Sequence, residues 1–141
     1  MHESLEFAER FEITQTLALY GHLMDEREAD RLGEVFAPDG SFDTTSVGGC
    51  LYRGLGQLRE FVALGDAVHP PFHLLTNAWV FRDREVVRSV SKWLTVDRDT
   101  GLPRSGDYLD RWVATTAGWR IAERVARVRW TGGAWVEGYG R

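Results

Sequence analysis

"HPPFHLLTNAWVFRDREVVRSVSKWLTV", residues 69–96, is where the character of the chain changes. Upstream, apolar residues recur at helical spacing. Downstream of the two prolines, β-branched and aromatic residues dominate and no helical period survives. Residues 72–81 and 86–96 read as two strands, and the polar "RDRE" between them reads as a tight turn. Strands joined so closely must run antiparallel. In a regular strand alternate residues share a face, so His73 and Asn77, four apart, would both point to one side of the sheet.

Working outward, residues 5–24 lack proline and carry Phe7, Phe11, Leu17 and Met24 at helical spacing, with Ile13 and Tyr20 beside them. This predicts a long first helix ending near Asp25. Asp30 is placed to cap a short second helix, "RLGEVF". "APDG" reads as a turn, "SFDTTSV" as a strand, "GGCLYRG" as a loop or short strand, and "LGQLREFVALG" as a third helix. On the other side, residues 97–106 form a turn-rich loop. "DYLDRWVAT" and "WRIAERVARVRW" are two further strands, and the Gly-rich tail is irregular, with Trp135 and Tyr139 docking on apolar surface. Helices gather in the first half and long strands in the second. The expected fold is α+β, one domain over residues 1–141, with a curved antiparallel sheet wrapped around N-terminal helices. A concave sheet only partly closed by helices leaves a pocket.

Composition narrows the functions. The chain of 141 residues is 43% hydrophobic and 12% aromatic, which argues against disorder. Its formal net charge is -4, so no nucleic-acid partner is expected. Arg120, Arg124, Arg127 and Arg129 do cluster, but at near-alternate strand positions they read as a solvated face. A single lysine, Lys92, disfavours Schiff-base chemistry. The lone Cys50 and an acidic, amphipathic opening ("MHESLEFAERFE") predict a cytoplasmic protein, and no apolar run reaches membrane-spanning length. The histidines form no HExxH motif, no phosphate-binding loop or nucleophile elbow is present, and no metal or other cofactor is expected.

The segments "LALYGHLMDEREADRLGEVFAPDGSF", "YRGLGQLREF", "FHLLTNAWV", "SGDYLDRWV" and "GWRIAERV", in this order and spacing, resemble the nuclear transport factor 2-like superfamily, and within it the SnoaL-like proteins that include polyketide cyclases. The resemblance covers nearly the whole chain. It implies a cone-shaped, cystatin-like α+β barrel with a deep cavity, and a homodimer formed through the outer sheet face. Superfamily members include scytalone dehydratase, limonene epoxide hydrolase, ketosteroid isomerase and a hexachlorocyclohexane dehydrochlorinase, alongside binding modules and dioxygenase small subunits. The cavity residues, not the fold, must therefore decide function.

The resemblance pairs a histidine opening the "HxxxN" strand with an aspartate ending the first helix, which here are His73 and Asp25. A carboxylate accepting from one imidazole nitrogen fixes the tautomer and makes the other nitrogen a usable base. At about 100° per residue Asp25 shares a helical line with Thr14, Ala18 and Gly21, small residues that leave room before a carboxylate. The simpler alternatives are a core histidine bonded to backbone and a solvated helix-end aspartate. Candidate substrate-binding residues are Tyr20 as a phenol donor, Asn77 orienting substrate or His73, Trp93 and Tyr108 as cavity walls, and Arg129, by resemblance, as an anion binder. Tyr20 also reads as a core contact of Leu17 and Met24. The expectation is cofactor-independent acid-base chemistry, of the dehydratase, cyclase or isomerase type, on an apolar carbonyl-bearing or polycyclic small molecule. A non-catalytic binding module or a small subunit of a larger assembly is the alternative.

Overall fold

A computed structural model describes residues 5–132, 134 and 135. Helix α1 (Phe7–Asp25) opens with a capping box between Glu6 and Glu9. Its buried face is Ile13, Leu17, Tyr20, Gly21, Leu23 and Met24. Phe7 and Phe11 do not belong to that face. They stack on each other and are 81% and 55% exposed, because at about 100° per residue they fall on another side of the helix from Ile13, Leu17 and Met24. The second helix is a 3-10 turn, Ala29–Glu34, with Asp30 inside it rather than capping it. Strand β1 (Phe36–Asp43) starts earlier than expected and runs through "APDG", absorbing it as a register irregularity between Phe36 and Ser41. Strand β2 (Leu51–Arg53) leads into α2 (Gly54–Ala63).

The remaining strands are β3 (Leu74–Asp83), β4 (Val86–Val96), β5 (Pro103–Thr115), β6 (Gly118–Thr131) and the short β7 (Ala134–Trp135). Sheet order is β2-β1-β6-β5-β4-β3, with β7 on β6. The α+β expectation stands, with one amendment: β1 joins β6 in parallel. A long intervening chain permits that direction where a hairpin would not. The expected loop before β5 shrinks because β5 already pairs from Pro103. The tail is not wholly irregular, since Trp135 packs edge-on against Trp130 across the β6–β7 pair. Tyr139 and His2 lie outside the described residues.

Strand β3 carries the main departure from regular pairing. Thr76 opposes Lys92 but Trp79 opposes Val90, so β3 holds one extra residue there. Asn77 takes this bulge, at φ 52, a left-handed conformation that asparagine tolerates better than most residues. The extra residue resets the alternation: Leu75 faces inward before it and Val80 after it, while Trp79 is 56% exposed. Inward residues of β4, β5 and β6 close on α1 as one core, including Trp93, Tyr108, Trp112, Ile121, Ala126 and Val128. Each such large apolar side chain contributes roughly 1.5–3 kcal/mol of burial. Among the described residues no helix is long and apolar enough to cross a membrane.

Candidate active site

Helix α1 meets the start of β3 closely at Gly21. A Cβ there would stand 3.1 Å from the His73 carbonyl oxygen and 3.3 Å from Leu75 Cδ1. One helical turn later Asp25 faces His73, whose Nδ1–H donates to Asp25 Oδ1 at 2.8 Å. The two elements are also pinned from outside the pair. Arg27, just past the helix end at φ 57, donates to the carbonyls of Met24, His69 and Pro70 and pairs with Asp66 at 3.0 Å. Its guanidinium faces the helix's negative end, where a cation is favoured. Thr95 Oγ1 donates to the Phe72 carbonyl and anchors the approach to His73 on β4.

His73 lines a cavity of about 170 Å³, and Asp25 does not, so the carboxylate stands behind the imidazole. Nδ1 is taken by Asp25, which leaves Nε2 as the nitrogen available to a ligand. Burial, the largest effect, pulls the His73 pKa below the ordinary 6.5, and Asp25 opposes it only in part. The ring is therefore neutral at pH 7 and able to accept a proton.

Tyr20, Trp93 and Tyr108 line the same cavity. Tyr20 and Tyr108 meet edge to face, with centroids 5.6 Å apart, and Tyr20 stands edge-on to His73 at 6.4 Å. Burial raises both phenol pKa values, so both stay protonated, and the two hydroxyls hydrogen-bond each other, which leaves one O–H to donate to a ligand. Trp93 lies across Gly106, whose missing Cβ would fall 2.7 Å from the indole, and donates Nε1–H to the Asp107 carbonyl at 3.2 Å. A Cβ at 106 would also fall 1.7 Å from the Arg127 carbonyl oxygen, so only glycine fits there.

Two expected binding residues are not brought to the cavity. Asn77 is exposed at its bulge; the residue that would have shared a face with His73 was turned away by the broken alternation. Arg129 is the extra residue of a second bulge, on β6 opposite the Ser105–Gly106 step of β5, and its Nε–H donates to Asp107 Oδ2 at 3.1 Å. Arg124 corrects a different expectation. It is fully buried rather than on a solvated face, paired with Asp110 through Nε and Nη2 at 2.7 and 3.0 Å. Its guanidinium carbon lies 4.2 Å from the ring centroids of both Tyr20 and Tyr108, a cation behind the phenols. Burial alone would lower the Arg124 pKa, but Asp110 overrides this and holds it above the ordinary arginine range. Residue spacing gave no hint of this, because the partners come from two other elements, α1 and β5.

His69 and Arg104 also line the cavity and were not singled out from sequence. His69 Nε2–H donates to the Phe61 carbonyl at 2.6 Å, and burial lowers its pKa. Although His69 and His73 are four apart, they flank two prolines in an extended segment and take separate partners. Among the described residues no group of three or more histidine, cysteine or acidic side chains converges on a point. Lys92 is held by Asp107, and that pair lies on the opposite side of the sheet from Trp93.

Architecture and cavity together define a fold of the cystatin-like, nuclear transport factor 2-like type. Solved structures align accordingly. An NTF2-like protein with a cystatin-like fold from Novosphingobium aromaticivorans superposes with a TM-score of 0.74 at 22% identity, over 90% of this chain and 85% of that one. An NTF2-like superfamily protein from Salmonella enterica gives 0.70 at 21%, over 94% and 98%. The SnoaL-like domain family matches residues 6–125, and the chain belongs to that family. An uncharacterized protein of Mycobacterium tuberculosis is 31% identical over 126 residues, 85% of each chain.

Proposed function

We propose that this protein is a cofactor-independent acid-base enzyme that moves a proton beside a carbonyl in a small apolar molecule, a reaction of the isomerase, cyclase or dehydratase type. The observation that carries this reading is the 2.8 Å contact between Asp25 and His73, with the imidazole on the cavity wall and the carboxylate behind it. His73 Nε2 removes the proton from carbon. The electron pair moves to the carbonyl oxygen, and a phenol of Tyr20 or Tyr108 donates a hydrogen bond to the developing oxyanion. Asp25 stabilises the imidazolium that forms. The imidazolium then returns the proton to another carbon or to a departing hydroxide, so no external oxidant or reductant enters. Arg124, behind both phenols, lowers the cost of negative charge on the oxygen they hold.

The test needs no knowledge of the natural substrate. Small cyclic and aryl ketones are incubated with the protein in D₂O, and exchange at the carbon beside the carbonyl is followed by NMR. Enzyme-dependent exchange is expected, and His73→Ala should lower it by about 10²–10⁴-fold while leaving the thermal transition intact. Ligands that bind without any exchange would establish the binding-module reading instead. A His73→Ala chain that fails to fold would assign the histidine to the core.

We also infer a homodimer. Trp79, Val90, Leu109 and Val125 are register partners across β3, β4, β5 and β6 and form an apolar row on the outer face. A cytoplasmic setting fits the single cysteine, Cys50, which is exposed. Sedimentation at micromolar concentration should give twice the 16.0 kDa chain mass. A monomer there would remove the dimer.

A further inference from the structure

Arg104 is the second residue of β5, opposite Thr95 on β4. Directly opposed residues project to one face of a sheet. Thr95 is on the cavity wall, and Arg104 follows it there. Arg104 belongs both to the main cavity and to a cleft at its mouth, which share Val68, His69 and Pro70. It therefore stands at the passage between the two.

The guanidinium is poorly served by its own protein. Arg104 Nε is buried and makes no hydrogen bond. A buried N–H without an acceptor loses its water and gains nothing in return. The carboxylates in the mouth cleft meet this need only in part: Asp97 attracts Arg104 electrostatically but accepts no hydrogen bond from it. Asp97 Oδ1 accepts from the backbone N–H groups of Asp99 and Thr100 and from the Thr100 hydroxyl. Asp66 is taken by Arg27 at 3.0 Å and Arg98 at 3.4 Å. Asp99 is exposed on the loop. Arg124, behind the cavity, also keeps one buried N–H group without an acceptor, Nη1, but its charge is met by Asp110 through Nε and Nη2.

We propose that Arg104 is the carboxylate-binding subsite of this cavity, and that the ligand is a single-ring keto or hydroxy acid. The acid group pairs with the guanidinium at the mouth while the ring reaches inward toward His73. A guanidinium presents parallel N–H donors that match the two oxygens of a carboxylate. The size of the chamber sets the body of the ligand. At about 170 Å³ it is close to the ~150 Å³ cavity that accepts one benzene ring, and far below what a polycyclic skeleton requires. This assignment rests on the acid-base reading for what happens to the ring, but binding alone tests it.

The probes are 4-acetylbenzoate and its neutral isostere 4-acetylbenzamide, which differ only in the group presented to Arg104. In calorimetric titrations the full native chain should bind the acid about tenfold or more tightly than the amide. Arg104→Gln should abolish that preference and leave affinity for the amide unchanged, and Arg104→Lys should restore part of it. Thermal transitions of the variants, matched to the native one, guard against misfolding. If the native chain does not prefer the acid, because both probes bind alike or neither binds at about 10 mM, the subsite is overturned. A preference that survives Arg104→Gln overturns it as well. The acetyl group of each probe carries exchangeable protons, which separates the two proposals. Selective binding without deuterium exchange removes the enzyme and keeps the subsite, whereas exchange without selectivity does the reverse.

Discussion

His73 is held by two opposing influences. Burial disfavours its charged form and the Asp25 carboxylate favours it, and burial prevails. Because the folded pKa lies below 6.5, the unfolded chain takes up the proton first as pH falls. The contribution is fully present above about pH 6.5 and is lost as pH descends through the window between the unfolded and folded values. His69 shifts in the same direction and adds to the effect. Two observations follow for a proton-abstracting enzyme. The acidic limb of kcat/KM should have its midpoint below 6.5, and chemical-denaturation stability should decline between pH 7 and 5. In His73→Gln the decline should be shallower, with the His69 share remaining. A limb centred above 6.5 would mean that the carboxylate, not burial, governs the ring.

At the level of elements, the site depends on how closely a helix can approach a strand. Gly21 of α1 lies against the His73 carbonyl, and the next turn carries Asp25. Alanine at 21 gains up to about 1 kcal/mol of helix propensity but must displace that carbonyl by a few tenths of an ångström. Gly21→Ala should therefore change the thermal midpoint little and lower the exchange rate about tenfold or more, because a proton-transfer geometry tolerates little displacement. If Gly21→Ala retains native exchange, the close approach is a packing detail unrelated to the dyad. The bulge at Asn77 acts on the same scale. It turns Trp79 outward and Val80 inward, and by doing so separates Asn77 from the face that His73 serves.

For the molecule as a whole, the notable feature is an ion pair sealed in the core. Arg124 and Asp110 have no solvent exposure, and a hydrogen-bonded chain continues from Asp110 to Ser89 and from Ser89 to Trp112. Removing one partner leaves a buried charge uncompensated. Arg124→Leu should cost about 3–5 kcal/mol, read as a shift in the denaturation midpoint. Replacing Asp110 by Leu as well should recover most of that loss, since two apolar residues impose no desolvation cost. A single variant as stable as the native chain would mean that water reaches Asp110. The double variant should still bind apolar rings but exchange protons slowly, because the phenols lose the cation behind them.

What the chain's own pattern determined is its class of architecture. The switch at residues 69–71 from helical spacing to strand-forming residues is a local property, set by side-chain shape and alternation, and it survives without knowledge of any contact. The family motifs likewise marked His73 and Asp25, the pair that now stands 2.8 Å apart. Tertiary structure decided the rest, because the remaining features depend on register and on groups far apart in sequence. One extra residue in β3 reversed the facing expected of Asn77. A second bulge, on β6, put Arg129 onto Asp107, while the pairing of Arg104 with Thr95 carried a different arginine to the cavity. Arg124 looked like one more surface charge until α1 and β5 enclosed it with Tyr20, Tyr108 and Asp110. Periodicity fixes which face a residue shares with its neighbours, but a single inserted residue inverts it, and only the folded sheet records where that happens.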